Sequence, residues 1–142
     1  MAEQAQARAG GCLCGAVRYR VHGPLRGIHV CHCGQCRRVH GYLGAYTSAA
    51  RTDVDLEGAD ALRWFATSAR GRRGFCGTCG SSLFFEPAGE DRLAIVAGSL
   101  DQPSGLEVLG HEHVADQADY VRIDDDLPAF PGDFGAKPEE RA

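Results

Sequence analysis

The chain has 142 residues, a formal net charge of -4 and a sequence pI of about 5.8. This length predicts one domain with room for a buried core, and 44% hydrophobic with 24% charged residues is typical of a folded protein. Because the balance is acidic, no broad positive field is available for phosphate backbones, and nucleic acid is not an expected partner.

The first eleven residues, MAEQAQARAGG, are small and polar. They lack the apolar stretch of a secretory signal, and no run of about 18 apolar residues predicts a membrane span. We therefore expect a cytoplasmic protein with no membrane partner. Residues 1–9 are predicted to be a disordered leader, 10–131 the folded domain, and 132–142, rich in Pro, Gly and charge, a surface tail.

Runs with the properties of β-strands dominate the chain. The clearest is AVRYRVHG, in which Val17, Tyr19 and Val21 alternate with polar residues, as in a strand with one buried face. A short helix is expected after Cys36, in RRVHGY, ended by Gly41. The predicted fold class is all-β, with further strand-like runs in YLGAYTS, DVDL, LRWFATS, SSLFFEP, RLAIVAG and YVRID.

Seven cysteines occur in three groups, CLC, CHCGQC and CGTCG. In a reducing compartment, clustered thiols favour metal binding or catalysis over disulfides. CGTCG has the form of a zinc knuckle, and CLC can supply two more ligands because residues i and i+2 of an extended chain project to one side. Four unliganded thiols, or a redox pair, would not explain why two short pairs coexist. We predict a structural four-cysteine zinc site formed by Cys12, Cys14, Cys76 and Cys79.

The middle group, Cys31, Cys33 and Cys36, needs a fourth ligand to complete a tetrahedron. If no protein group supplies it, the site is open, as catalytic zinc sites are, and an external thiol is a natural ligand. The alternatives are a site closed by a histidine and redox or iron–sulfur use. His32 could close the site, although a residue between two ligating cysteines usually points away from the metal. The other histidines that could close it are His29, His40, His111 and His113.

The cysteine groups stand within a longer pattern that resembles the glutathione-dependent formaldehyde-activating enzymes, whose relatives include centromere protein V. The resemblance is carried, from about Gly11 to Pro131, by GGCLCGAVRY, CHCGQCRRVHG, FCGTCGSSLFF, VAGSLD and LPAFPG in the family's order. It implies a β-tent of small stacked antiparallel sheets stapled by the four-cysteine zinc site. It also implies a second, catalytic zinc held by Cys31, Cys33 and Cys36, hence two Zn²⁺ per chain.

The activity implied by the resemblance is that of a carbon–sulfur lyase or synthase, which adds glutathione to formaldehyde to give S-(hydroxymethyl)glutathione. A close variant would use another thiol or aldehyde. Arg37 and Arg38 directly follow Cys36 and could bind the carboxylates of glutathione, and His32 is a further candidate for the substrate site. The alternative function is a noncatalytic, zinc-stabilised binding module.

Other side chains are predicted to have surface or structural roles. His111 and His113 are expected at the surface of a polar strand or turn. The three arginines that precede CGTCG are expected in an exposed basic hairpin. Core packing is predicted for at least one member of each aromatic pair, Trp64 with Phe65 and Phe84 with Phe85.

Overall fold

The computed structural model describes residues 7–135, which form two compact units. The first unit contains the described chain up to Arg26 together with Thr47–Leu106. The second unit contains Gly27–Tyr46 together with the described chain from Glu107. Each unit is therefore assembled from segments that are far apart in sequence.

Strands make up most of the regular structure between residues 7 and 135, which confirms the all-β class. The α-helix in this range, α1, spans Gly34–His40, and none of its helices is long and apolar enough to cross a membrane. In chain order the strands are β1 Arg8–Gly11, β2 Arg18–Val21, β3 Ile28–Cys31, β4 Gly44–Ala50, β5 Val54–Glu57, β6 Leu62–Ser68, β7 Gly71–Cys76, β8 Ser82–Pro87, β9 Arg92–Val96 and β10 Val108–Glu112.

Two antiparallel sheets of the first unit share one hydrophobic core. β1, β2 and β5 form one sheet, and β9, β8, β7 and β6 lie side by side in the other. The alternation in AVRYRVHG sets the inner face, since Val17, Tyr19 and Val21 are at most 2% exposed. The Tyr19 ring meets the buried Phe84 ring edge-on, with 5.3 Å between centroids. Within this unit, the small stacked sheets that the resemblance implied are therefore present.

β3 is the central strand of the second unit, with β10 parallel on one side and β4 antiparallel on the other. Cys31, the last residue of β3, lies opposite Glu112 of β10 and Gly44 of β4. The resemblance implied antiparallel sheets, and this one parallel pair makes the arrangement mixed. A long connection between β3 and β10 permits it, because only a short hairpin obliges neighbouring strands to run antiparallel.

Helix α1 connects β3 to β4 and is delimited by two residues in or beside the cysteine motif. Cys33 caps its first turn, since its sulfur accepts a hydrogen bond from the Cys36 N–H. Gly41 ends it with φ 82°, a left-handed conformation that glycine adopts without steric cost, so this predicted end is confirmed. The helix starts at Gly34, earlier than expected, because a cysteine is not among the usual capping residues.

The strand prediction has one false element and several omissions. YVRID is not a strand: the place beside β10 is taken by the chain near Ala129, which bridges to His111. The strands that the sequence analysis missed are β1, β3, β7 and β10. Their sequences are rich in Gly, His or Arg, or are too short to show a period of two, and pairing with neighbours decides their conformation.

The expected leader and tail both contribute residues to the fold. β1 begins at Arg8, whose Nε donates to the Ser104 carbonyl at 2.7 Å, so residues 8 and 9 do not belong to a disordered leader. Phe134 stacks on the His29 ring with 3.8 Å between centroids, so the start of the predicted tail is packed. An aromatic side chain gains by leaving water even within a Pro- and Gly-rich segment. Residues 1–6 and 136–142 lie outside the described part of the chain.

Each predicted aromatic pair does contribute to the core, and the basic hairpin is exposed as expected at Arg70 but not throughout. Phe84 is fully buried, and Trp64 packs against the core while Phe65 faces solvent. The Arg72 guanidinium lies 4.2 Å from the Trp64 ring centroid, and Arg73 is buried. Stacking of a guanidinium on an aromatic face allows an arginine to leave bulk water, which sequence spacing alone did not indicate.

Candidate metal centres

Four cysteines of the first unit converge as predicted. Cys12 and Cys14 follow β1, Cys76 ends β7, and Cys79 lies in the turn after it. The Cys12 and Cys14 sulfurs are 3.6 Å apart, the Cys14 and Cys76 sulfurs are 3.8 Å apart, and all four lie within 4.8 Å of one another. Four sulfurs at about 2.3 Å from a tetrahedral metal are separated by roughly 3.8 Å. This cluster could therefore hold a metal ion.

Backbone amides point at two of these sulfurs. The Val17 N–H donates to Cys12 Sγ at 3.3 Å, and the Thr78 N–H donates to Cys76 Sγ at 3.3 Å. Such hydrogen bonds favour the thiolate, which is the form that binds metal. The two knuckles thus place backbone donors beside sulfurs of the cluster.

Ser81 joins the two knuckles and was not identified from the sequence. Its hydroxyl accepts from the Leu13 N–H at 3.0 Å and contacts Cys79 Sγ at 3.2 Å. Hydrogen bonds from the Ser81 side chain and backbone lower the pKa of the Cys79 thiol to about 5. Ser81 could have been identified from its position two residues after Cys79, where the chain turns back after the knuckle.

Three cysteines of the second unit form the other cluster, again as predicted. Their sulfurs lie within 4.8 Å of one another, and within residues 7–135 no His, Asp, Glu or further Cys joins the group. Cys31 and Cys36 are buried, whereas Cys33 is partly open to solvent. Hydrogen bonds from Cys31 and Cys36 lower the pKa of the Cys33 thiol, because neighbouring thiols share one negative charge before a second can form. The cluster is compatible with a metal bound by three sulfurs.

The histidines offered as a fourth ligand have other partners. His40 Nε2 lies 2.6 Å from the Tyr46 hydroxyl, and His29 stacks on Phe134. His32 is 2% exposed, and its Nε2 lies 2.9 Å from His111 Nδ1. Burial lowers the pKa of His32, since the charged imidazolium would lose its hydration. None of the five candidate histidines belongs to the ligand group of this cluster.

His111 is buried, contrary to the surface position expected for it. It is 6% exposed, and its Nε2 lies 2.8 Å from Asp125 Oδ2. The hydrogen bond from His111 holds the pKa of the Asp125 carboxyl below its ordinary value. The sequence analysis missed Asp125 because it stands in a loop 14 residues further along the chain, within the acidic run DDD.

The chain matches one family of known proteins over most of its length. The family model for the glutathione-dependent formaldehyde-activating enzyme matches residues 7–116, which include all seven cysteines. The chain belongs to this family.

One named relative illustrates the family, and one solved structure illustrates the fold. A Halomonas elongata protein named "Putative glutathione-dependent formaldehyde-activating enzyme" is 30% identical over 127 residues, which cover 81% of this chain and 80% of that protein. A crystal structure of a Rhodobacter sphaeroides protein is 24% identical and aligns with a TM-score of 0.56. The alignment covers 70% of this chain and 98% of the Rhodobacter sphaeroides chain. This similarity supports the fold alone.

The two arginines that follow Cys36 differ in exposure in this family member. Arg37 is partly buried and Arg38 is exposed, both on α1. Consecutive helical residues point about 100° apart, so the side chains of Cys36 and the arginines leave the helix in different directions. Substrate binding by Arg37 and Arg38 stays a prediction.

A further group of possible ligands surrounds His113. Its Nε2 lies 2.9 Å from Asp133 Oδ1 and 4.0 Å from Glu112 Oε1. Asp133 is exposed, and the Phe134 N–H donates to Glu112 Oε1 at 3.3 Å. These contacts connect the segment near residue 133 to the end of β10.

Proposed function

We propose that this chain is a zinc-dependent carbon–sulfur lyase that adds glutathione to formaldehyde and catalyses the reverse reaction. The observation that carries the proposal is the convergence of three cysteine sulfurs, without a fourth ligand from the described chain, in a member of this family. Cys31, Cys33 and Cys36 would hold the catalytic zinc. Cys12, Cys14, Cys76 and Cys79 would hold a structural zinc.

Zinc held by three thiolates would bind an incoming thiol and favour its deprotonated form at neutral pH. In the forward reaction a carbon–sulfur bond forms between glutathione and the carbonyl carbon of formaldehyde. The π pair of the carbonyl moves to oxygen, which takes up one proton, and the thiol gives up one proton. The reaction needs neither an oxidant nor a reductant.

The exposure of the three cysteines supports one direction of approach. Cys31 and Cys36 are buried. Cys33 is partly open, and we propose that thiol and aldehyde reach the cluster past this residue. Arg37 and Arg38 would attract the carboxylates of glutathione, since charged hydrogen bonds to carboxylates are among the stronger ones in proteins.

The activity is tested by the initial rate of formaldehyde consumption with glutathione, measured above the rate of the spontaneous addition. The wild-type chain should exceed this background, and Cys33→Ser should return to it. Arg20→Gln, which changes an exposed arginine of the first unit, is the matched control and should retain the wild-type rate. If wild type and Cys33→Ser both match the background for every small thiol tested, the enzyme proposal is wrong and a noncatalytic binding module is favoured.

The identity of the thiol is tested with the arginines. Arg37→Gln and Arg38→Gln together should raise KM for glutathione while changing kcat little, because they remove binding that is equal in ground and transition states. With 2-mercaptoethanol, which has no carboxylate, the double variant should behave as wild type. An equal effect on both thiols would show that these arginines do not recognise carboxylates.

A further inference from the structure

A chain of hydrogen bonds runs from Asp125 through His111 to His32, the residue between two cysteines of the second cluster. His111 contacts Asp125 through Nε2 at 2.8 Å and His32 through Nδ1 at 2.9 Å. Both imidazoles are buried, and neither belongs to the ligand group of the cysteines. These three side chains are therefore available for a role other than holding the metal.

The direction of the hydrogen bonds follows from the carboxylate. An ionised Asp125 can only accept, so His111 Nε2 carries a proton and donates. In neutral His111 the Nδ1 atom is then an acceptor, and His32 Nε2 donates to it. His32 Nδ1 keeps a lone pair, and within residues 7–135 no group donates to this buried atom. An unpaired acceptor is tolerated more often in proteins than an unpaired N–H, which agrees with this direction.

Asp125 and His111 are both held in place by hydrogen bonds to backbone groups. Asp125 Oδ1 accepts from the Leu127 N–H at 3.1 Å, so its two oxygens are both engaged. The His111 N–H donates to the Pro128 carbonyl at 2.8 Å, and the Phe130 N–H donates to the His111 carbonyl at 2.9 Å. The loop from Asp125 to Phe130 thus holds His111 in place from its backbone and from its ring.

His32 is tied to the same strand by main chain and side chain. Its N–H donates to the Glu112 carbonyl of β10 at 3.0 Å, and its ring is bonded to His111 of β10. It follows Cys31, which ends β3, and precedes Cys33, which caps α1. A change in the backbone torsion angles of His32 would move the two flanking sulfurs relative to each other.

We propose that His111 and Asp125 are positioning residues that hold His32, and with it the backbone bearing Cys31 and Cys33, in one orientation. The inference rests on the proposed function in one respect: it assumes that Cys31, Cys33 and Cys36 bind zinc. A site whose ligands are held in place before binding loses less conformational freedom when the metal enters, so its affinity is higher. His111 and Asp125 touch neither the reacting atoms nor the metal.

Zinc retention by the full-length chain tests this role. Native mass spectrometry over a graded series of chelator concentrations should show two separate losses of zinc in wild type. Cys33→Ser should show only one of these two zinc losses, and the other one is then assigned to the second cluster. His111→Leu should release this zinc at a chelator concentration about tenfold lower, as the loss of a group that orients metal ligands typically does. The zinc of the four-cysteine cluster should be retained as in wild type.

Two variants distinguish positioning from a general loss of packing. In His111→Asn the side-chain oxygen can take the place of Nδ1 as acceptor for His32, so most of the affinity should be retained. Asp125→Asn removes the charge that sets the direction of the hydrogen bonds and should weaken zinc binding less than His111→Leu. The matched control is His113→Leu, which breaks the neighbouring pair with Asp133 and should change neither zinc.

The proposal is overturned if His111→Leu retains this zinc as wild type does, or if His113→Leu loses it equally. Should His111→Leu fail to fold, wild-type retention by Asp125→Asn overturns it instead. Nitrogen-15 NMR of the imidazoles provides an independent check, since His32 and His111 should both carry their proton on Nε2; a proton on Nδ1 of either ring contradicts the mechanism. A wild-type chain that never carries a second zinc would sink the proposed function, while the NMR result would still test the hydrogen-bond chain.

Discussion

Gly44 lies directly against Cys36 in the second unit. A Cβ atom at Gly44 would lie 2.9 Å from Cys36 Sγ and 3.0 Å from His40 Cδ2, closer than van der Waals contact allows. We expect Gly44→Ala to displace the Cys36 sulfur and to weaken zinc binding at this cluster by about tenfold, comparable with the loss of a group that orients ligands. Zinc counted by native mass spectrometry during chelator competition measures this change.

The matched control is Gly34→Ala in the same motif. A Cβ atom at Gly34 has only the Arg37 guanidinium nearby, at 3.9 Å, and alanine is favoured over glycine in a helix by about 1 kcal/mol. This variant should therefore retain zinc and unfold at an equal or higher temperature. If both variants retain zinc equally, the contact between Gly44 and Cys36 does not control the site.

The two cysteine clusters should differ in their contribution to stability. Cys76 is fully buried, and its cluster joins the start of the chain to the end of β7 within the core of the first unit. Cys76→Ser should lose one zinc and lower the free energy of unfolding by more than about 4 kcal/mol, as loss of a structural metal site does. Cys33→Ser should also lose one zinc but unfold at nearly the wild-type denaturant concentration. Equal destabilisation of both variants would mean that both zincs are structural.

Tyr19 should make the protein less stable at alkaline pH. Burial raises the pKa of Tyr19 to about 12 from an ordinary value of 10.0. The folded chain then keeps a proton that the unfolded chain releases, so stability falls as the pH rises from about 10 to about 12. Between pH 8 and pH 11 the loss from this group is about 1.4 kcal/mol.

Tyr19→Phe isolates this effect. At pH 8 it should be less stable than wild type by about 1 kcal/mol, since the hydrogen bond between Tyr19 Oη and Ser99 Oγ is lost. At pH 11 the difference should vanish or reverse. Urea unfolding of both proteins at the two pH values is the measurement, and a difference that stays constant would show that Tyr19 does not titrate in this range.

Phe84 and Phe65 offer a direct test of the core of the first unit. Phe84 is fully buried between the two sheets, whereas Phe65 is 64% exposed. Phe84→Ala should lower the free energy of unfolding by about 3 to 5 kcal/mol, because it creates a cavity and loses buried apolar area. Phe65→Ala should change it by less than about 0.5 kcal/mol. Similar values for the two variants would contradict this packing.

The sequence predicted a β-strand correctly where buried and polar residues alternate within that strand. Val17, Tyr19 and Val21 showed the inner face of the first unit because alternation is a local property of an extended chain. β10 showed no such pattern, and its conformation depends on pairing with β3, about 80 positions earlier in the chain. YVRID had strand-forming residues but found no partner, since the chain near Ala129 bridges to His111 beside β10.

The sequence by itself determined which cysteines form the two clusters and the family of the chain, because ligand spacing within a knuckle is a property of a few consecutive residues. Only the tertiary structure decided what surrounds those sulfurs. Ser81 at the first cluster, and the buried partnership of His32 with His111 and Asp125 at the second, depend on which distant segments meet. A hydrogen bond between residues 79 positions apart leaves no local pattern, since its energy belongs to the folded arrangement and not to either segment alone.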